Sequence, residues 1–271
     1  MRHPALFLGL AAALFAPAAF AAPQEATPAP AASAAATPAE PAIDPQAVAA
    51  LEKMGGYLRS LKQFTVHADT TIDLVTDAGQ KLQFPGTADY KVRAPDGLVL
   101  DVQSPNRHRQ LFFDGKKLSL FSPDTKLYAT VDSPGTIRDV LTRAEDKYGI
   151  TLPLADLFLW GTDRAPTSEL TSAKAIGNGR IGDCDCLQYA FRQPGVDFQV
   201  WMQPGDKPLP RRLVITTLDD PTQPQYESTL TWNTAATLPD STFAFSPGKD
   251  ALPIRMLELG VAGTDTTEAT P

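Results

Sequence analysis

The most reactive groups in the chain are its two cysteines, Cys184 and Cys186, which stand two residues apart. In an oxidising compartment, neighbouring thiols commonly pair as a disulfide. On a regular strand, however, residues two apart lie roughly 6.6–6.8 Å from each other, the upper edge of the Cα spacing a disulfide spans. A bridge therefore needs a bend or bulge, and two small buried side chains are the equal alternative. Redox catalysis calls for a C-x-x-C spacing at a helix start, which this sequence does not offer.

Imidazoles and carboxylates suggest less chemistry. His67 and His108 share no ligand or triad spacing with a nucleophile or base. His67 falls on the polar side of an alternating segment with Asp69 and Asp73, where a solvated sheet face is expected. Asp183 and Asp185 flank Cys184, and Asp219-Asp220 precede Pro221; acidic pairs of this kind belong to turns. Gly177-Asn178-Gly179 reads as a turn, because no Lys-Ser or Lys-Thr helix start follows to make it a phosphate loop. The densest basic cluster, Arg107-His108-Arg109 with Lys116 and Lys117, reads as a solvated hairpin end. These residues imply no catalytic centre, no metal and no cofactor.

The surrounding elements begin with an export leader. Arg2 and His3 precede an apolar run at residues 6–15, and Ala19-Phe20-Ala21 has the form of a cleavage site. The run is too short for a span of about 20 residues and Pro17 interrupts it, so no transmembrane anchor is expected. Residues 1–21 are then a signal peptide and residues 22–42, rich in Ala, Pro, Thr and Ser, a flexible linker. Residues 43–259 hold enough chain for one core, and 260–271 form a polar, disordered tail. The net charge of -7, or -8 without Arg2, repels phosphate backbones, so nucleic acid is not an expected partner.

A helix opens the domain. Asp44 suits its cap and Pro45 its first position, while Val48, Leu51, Met54, Leu58 and Leu61 recur at helical spacing. Gly55-Gly56 marks either a kink or adjustable segment, or close packing of the helix on the sheet. From Phe64 the period changes to two and short strands follow, turned at Asp77-Ala78-Gly79, Pro95-Asp96-Gly97 and Asp114-Gly115. A second helix, carrying Ile137, Val140, Leu141 and Ala144, ends at Gly149. Residues 152–161 are apolar on more than one face, so that short helix is either core or a lid over a hollow. Strands then resume over 184–192, 196–203, 209–218 and 226–232, with Phe243-Ala244-Phe245 as a last edge. The expected class is α+β: a curved antiparallel sheet of about 10–11 strands with helices on its inner face. A cavity there would be lined by Leu154, Leu157, Phe158 and Trp160 from the lid and by Phe64, Val66, Leu98 and Leu100 from the sheet.

The segment from Cys186-Leu187-Gln188-Tyr189-Ala190-Phe191 through Val196-Asp197-Phe198-Gln199-Val200-Trp201 and Lys207-Pro208-Leu209-Pro210-Arg211-Arg212-Leu213 resembles a periplasmic family, domain of unknown function family 2092. The likeness continues through Leu230-Thr231-Trp232-Asn233 and Phe243-Ala244-Phe245. It departs at Gln188, where a His would be expected. That family in turn resembles the LolA and LolB lipoprotein-carrier fold, a half-open barrel lidded by helices around an apolar cavity. The resemblance implies a periplasmic protein that carries or senses lipid, an acyl chain or a lipoprotein tail, with an envelope protein as a further partner. It carries over no functional residue, and a structural or regulatory envelope module without cargo is the alternative.

Overall fold

The computed structural model describes residues 42–160, 162 and 166–259. The expected leader at 1–21, the expected linker apart from Ala42, and the expected tail at 260–271 lie outside them. Helix α1, Pro45–Ser60, starts as its sequence requires: Asp44 caps it by accepting the Gln46 N–H at 2.8 Å, and Pro45 occupies the first turn. It buries Ala47, Leu51, Met54, Gly55 and Leu58 along one stripe.

Six strands follow as a meander: β1 Gln63–Val75, β2 Lys81–Arg93, β3 Gly97–Ser104, β4 Arg107–Phe113, β5 Lys117–Ser122 and β6 Leu127–Asp132. Helix α2, Ile137–Tyr148, and the four-residue α3, Asp156–Leu159, come next. A capping box between Thr136 and Asp139 begins α2, the hydrogen bonds at Thr136 holding the Asp139 carboxyl below its ordinary pKa. The second meander is β7 Ser172–Ile181, β8 Cys184–Gln193, β9 Val196–Met202, β10 Pro210–Thr217 and β11 Gln225–Asn233, and β12 Leu252–Pro253 comes last.

All twelve strands make one sheet in the order β12-β6-β5-β4-β3-β2-β1-β11-β10-β9-β8-β7. The two meanders join where β1 pairs antiparallel with β11, placing Ala68 opposite Leu230. Among the described strand pairs only β12–β6 is parallel, and an isolated parallel bridge joins Ile43 to Ala173 of β7. With β12 and β7 at opposite edges, the curved sheet stays open rather than closing into a barrel.

One face carries the core. Phe64, Val66, Tyr90, Val92, Leu98, Leu100, Phe113, Val200, Leu213 and Leu230 alternate inward from the strands and meet α1, α2 and α3 in a single cluster. The period-two pattern thus predicts the buried side of β1 from Phe64 to Ala68 and of β2 from Ala88 to Val92, whereas Ile72 and Leu74 farther along β1 are exposed.

Two sequence expectations are corrected. Gly177-Asn178-Gly179 is not a turn but lies inside β7, with a bulge between Ala175 and Gly177. Pairing to β8 overrides the local turn preference, and a side chain at Gly179 would collide with the Trp201 indole, 2.8 Å from where its Cβ would be. Phe243-Ala244-Phe245 is not an edge strand. Phe243 is buried beneath Arg93, and Phe245 packs against Phe112, Phe121 and Tyr128 on the outer face, so aromatic contacts replace ladder pairing.

Candidate functional site

Residues 150–160 leave α2 at Gly149, whose left-handed conformation (φ 63°) ends the helix and directs the chain back over the sheet. The segment is held at both ends by side chains from beneath. Tyr90, 1% exposed on β2, donates its hydroxyl to the Pro153 carbonyl, and Arg59 of α1 donates to the Trp160 carbonyl. Trp160 stacks on Phe198 with ring centroids 6.2 Å apart, and Phe198 stacks on Phe191 at 5.0 Å. Leu154 sits at φ 56°, a left-handed conformation that costs a branched L-residue about 1–2 kcal/mol. Burial of its side chain in the core offsets that strain.

Leu154, Leu157 and Trp160 do meet Phe64, Val66, Leu98 and Leu100 in one cluster, all 0–6% exposed. The side chain of Phe158 is outside the described residues. The members of this cluster are buried from solvent, and two open spaces border it. A cavity of about 250 Å³ touches Leu157 and Phe64 between the end of α1, the start of α2 and Trp232. A larger cleft of about 410 Å³ opens between the concave side of β3–β5 and residues 150–153. Leu100 and Leu111 form its floor with Val102 and Leu120, while Ile150, Leu152 and Pro153 roof it. Arg107 and Arg109 also line this cleft.

Of the expected lining residues whose side chains are described, only Leu100 borders the larger cleft. Ile150 lies just before the over-apolar stretch, and Leu152 and Pro153 are its first two residues. Strand periodicity held the signal for the others: Arg107, Arg109, Leu111 and Phe113 alternate along β4 and so share one face. Reading 107–109 as a contiguous basic cluster hid that alternation.

The outer face carries the remaining polar groups. His67 Nδ1 lies 2.7 Å from Asp89 and Nε2 lies 3.4 Å from Asp69. The hydrogen bond to Asp89, opposed by a smaller effect of burial, raises the imidazole pKa above its ordinary 6.5. A raised folded-state pKa stabilises the fold fully below pH 6.5, and that contribution is lost as pH rises through the folded value. In a proton NMR titration His67 is expected to titrate above 6.5, and lower in Asp89→Asn; an unchanged midpoint in the variant would remove Asp89 as the cause. Asp183 pairs with Arg211 at 2.6 Å and Asp220 accepts from Thr222, so the acidic pairs serve ion pairing and turn geometry. Cys184 and Cys186 are joined by a disulfide at the start of β8, their Cα atoms 5.3 Å apart, closer than a regular strand places them. That bond removes both thiols as nucleophiles. No group of three or more His, Cys, Asp or Glu among the described residues is arranged to hold a metal, and none of the described helices is long and apolar enough to cross a membrane.

Three solved structures are similar to this chain. The lipoprotein LppX from Mycobacterium tuberculosis is 15% identical with a TM-score of 0.44, the match covering 72% of this chain and 98% of that one. LprF from Mycobacterium bovis is 14% identical with a TM-score of 0.42, covering 73% and 98%. A LolA superfamily protein from Nitrosomonas europaea is 13% identical with a TM-score of 0.36, covering 73% and 97%. No curated protein matches the chain. Residues 47–257 match the family model DUF2092, described as a predicted periplasmic protein, and the chain belongs to that family.

Proposed function

We propose that this periplasmic protein binds one apolar chain reversibly, as a carrier or sensor rather than an enzyme, in the cleft between residues 150–153 and β3–β5. The observation that supports this reading is the apolar cleft itself. Its volume of about 410 Å³ falls in the lower part of the range of small-molecule sites, roughly 300–1,000 Å³. That suits a single chain better than a multiply acylated tail. Burying about 14 methylenes is worth roughly 11 kcal/mol gross at about 0.8 kcal/mol each. Association costs about 4–15 kcal/mol, so binding is weak to moderate and the cargo exchanges.

The competing reading is an envelope interaction module without cargo. It draws support from the single buried cluster that the three helices form on the sheet. Export by removal of residues 1–21 accompanies both readings. Native mass spectrometry of protein from its own envelope tests them together, with a chain starting at Ala22, an oxidised Cys184–Cys186 pair and a bound lipid as the expected species.

Leu152→Trp provides the specific control. Leu152 is only half-buried in the roof, so a larger ring there fills the cleft without entering the core. Affinity for a fluorescent fatty acid is expected to fall at least about tenfold, equivalent to about 1.4 kcal/mol, with an unchanged melt. A wild-type protein with neither bound lipid nor probe affinity would leave the module without cargo as the standing reading.

A further inference from the structure

Building on the cargo reading, we propose that the ligand of the 410 Å³ cleft is a single-chain amphiphile with an anionic headgroup, its chain under residues 150–153 and its headgroup on Arg107 and Arg109. The register of the sheet makes this polarity. Leu98 faces Phe113, Leu100 faces Leu111, Val102 faces Arg109 and Ser104 faces Arg107. Along the concave side of β4, a buried ring and a buried leucine are therefore followed by two exposed guanidinium groups over roughly 20 Å of strand. A ligand lying along this line has its chain against the apolar end and its head at the cationic end.

Like Arg59 and Arg143, which donate to neutral oxygens, these arginines are not matched to a carboxylate, whereas five others are. Arg93, Arg180, Arg192, Arg211 and Arg212 each pair with a carboxylate. Arg107 and Arg109 have no ion pair among the described residues. Arg109 is steadied by the Ser122 hydroxyl at 2.5 Å and the His108 carbonyl at 2.7 Å, which orients the guanidinium without neutralising it. The nearby carboxylates are engaged elsewhere. Asp101, pointing to the outer face, accepts from His108 at 2.8 Å and from Gln110 at 2.6 Å. Asp124 accepts the His108 backbone N–H at 2.9 Å.

A third guanidinium reinforces the assignment. A neighbouring cavity of about 300 Å³ shares Arg109 and Leu120 with the cleft and is closed by Ile254, Arg255 and Met256. Arg255 also lacks an ion pair among the described residues. Arg109 thus stands between two cavities with a cation on either side. In a protein of net charge -7, three guanidinium groups without an ion pair beside an apolar cleft are complementary to a carboxylate or phosphate head, which guanidinium groups bind bidentately.

The test titrates wild-type protein and Arg107→Gln/Arg109→Gln with three probes of equal chain length: tetradecanoate, the lysophosphatidylglycerol and the uncharged monoacylglycerol. Both anionic probes are expected to bind wild type roughly tenfold more tightly than the neutral one, a difference the double variant abolishes. Preference for tetradecanoate alone or for the phosphate alone identifies a carboxylate or a phosphate as the headgroup. Salt titration of wild type needs no variant: affinity for the anionic probes is expected to fall with ionic strength and that for the neutral probe to hold. Equal binding of all three probes, with no salt dependence, overturns the headgroup assignment and leaves apolar cargo standing. Binding of none overturns both.

Discussion

Trp160→Ala is expected to lower the unfolding free energy by about 3–5 kcal/mol, the cost of deleting a large buried ring from a core that relaxes only in part. The indole is 6% exposed and begins the stack that continues through Phe198 and Phe191, tying the lid segment to β8 and β9. Against a typical domain stability of about 5–15 kcal/mol, such a loss is a large fraction of the whole. Equilibrium urea unfolding followed by far-UV circular dichroism measures it. Were residues 154–160 a detachable lid over a hollow, the same substitution would cost little and would act mainly on ligand binding. A loss below about 1 kcal/mol would therefore contradict the packed arrangement and restore the lid reading.

Opposite signs are expected at two adjacent glycines of α1. In an isolated helix, Gly→Ala is favourable by about 0.5–1 kcal/mol because glycine loses more backbone freedom on folding. Gly56 meets nothing within 4 Å of where a Cβ would stand, so Gly56→Ala should stabilise by about that amount. At Gly55 the added carbon would lie 2.7 Å from the Trp160 carbonyl oxygen and 3.0 Å from the Arg59 guanidinium that binds it. Because the carbonyl is backbone, it yields only by moving the lid segment. Gly55→Ala is therefore expected to destabilise by about 1–3 kcal/mol in spite of its helix propensity. Parallel melts of the two variants read the difference directly, and stabilisation by both would show that α1 and residue 160 are not in close contact.

The Gly55-Gly56 pair shows how far local sequence can be read. Two glycines in a helix announce a special position, favouring close helix-to-sheet packing over a kink, and the contact found is instead with the Trp160 backbone. Only one glycine of the two makes it. Similarly, Cys184 and Cys186 have a spacing that a straight strand does not bridge. Only the local contraction at the start of β8, following the left-handed Gly182, brings their Cα atoms to 5.3 Å.

By itself the sequence determined the features that depend on near neighbours. These are the start of α1, the end of α2 at Gly149, the period-two alternation of β1 to β3, the strands β8 to β11, most of the turns, and hence an antiparallel sheet with helices on one side. Each follows from side-chain direction and local hydrogen bonding within a few residues. The tertiary structure decided matters that depend on what distant segments present to one another. Pairing with β8 makes Gly177-Asn178-Gly179 part of a strand, and aromatic contacts take Phe243 and Phe245 out of the sheet. Whether an apolar residue fills a core or lines a cleft is likewise not local, because hydrophobic burial is non-directional and any apolar partner satisfies it. Thus Leu154, Leu157 and Trp160 became core, while Leu152 and Ile150 came to roof open space beside Arg107 and Arg109.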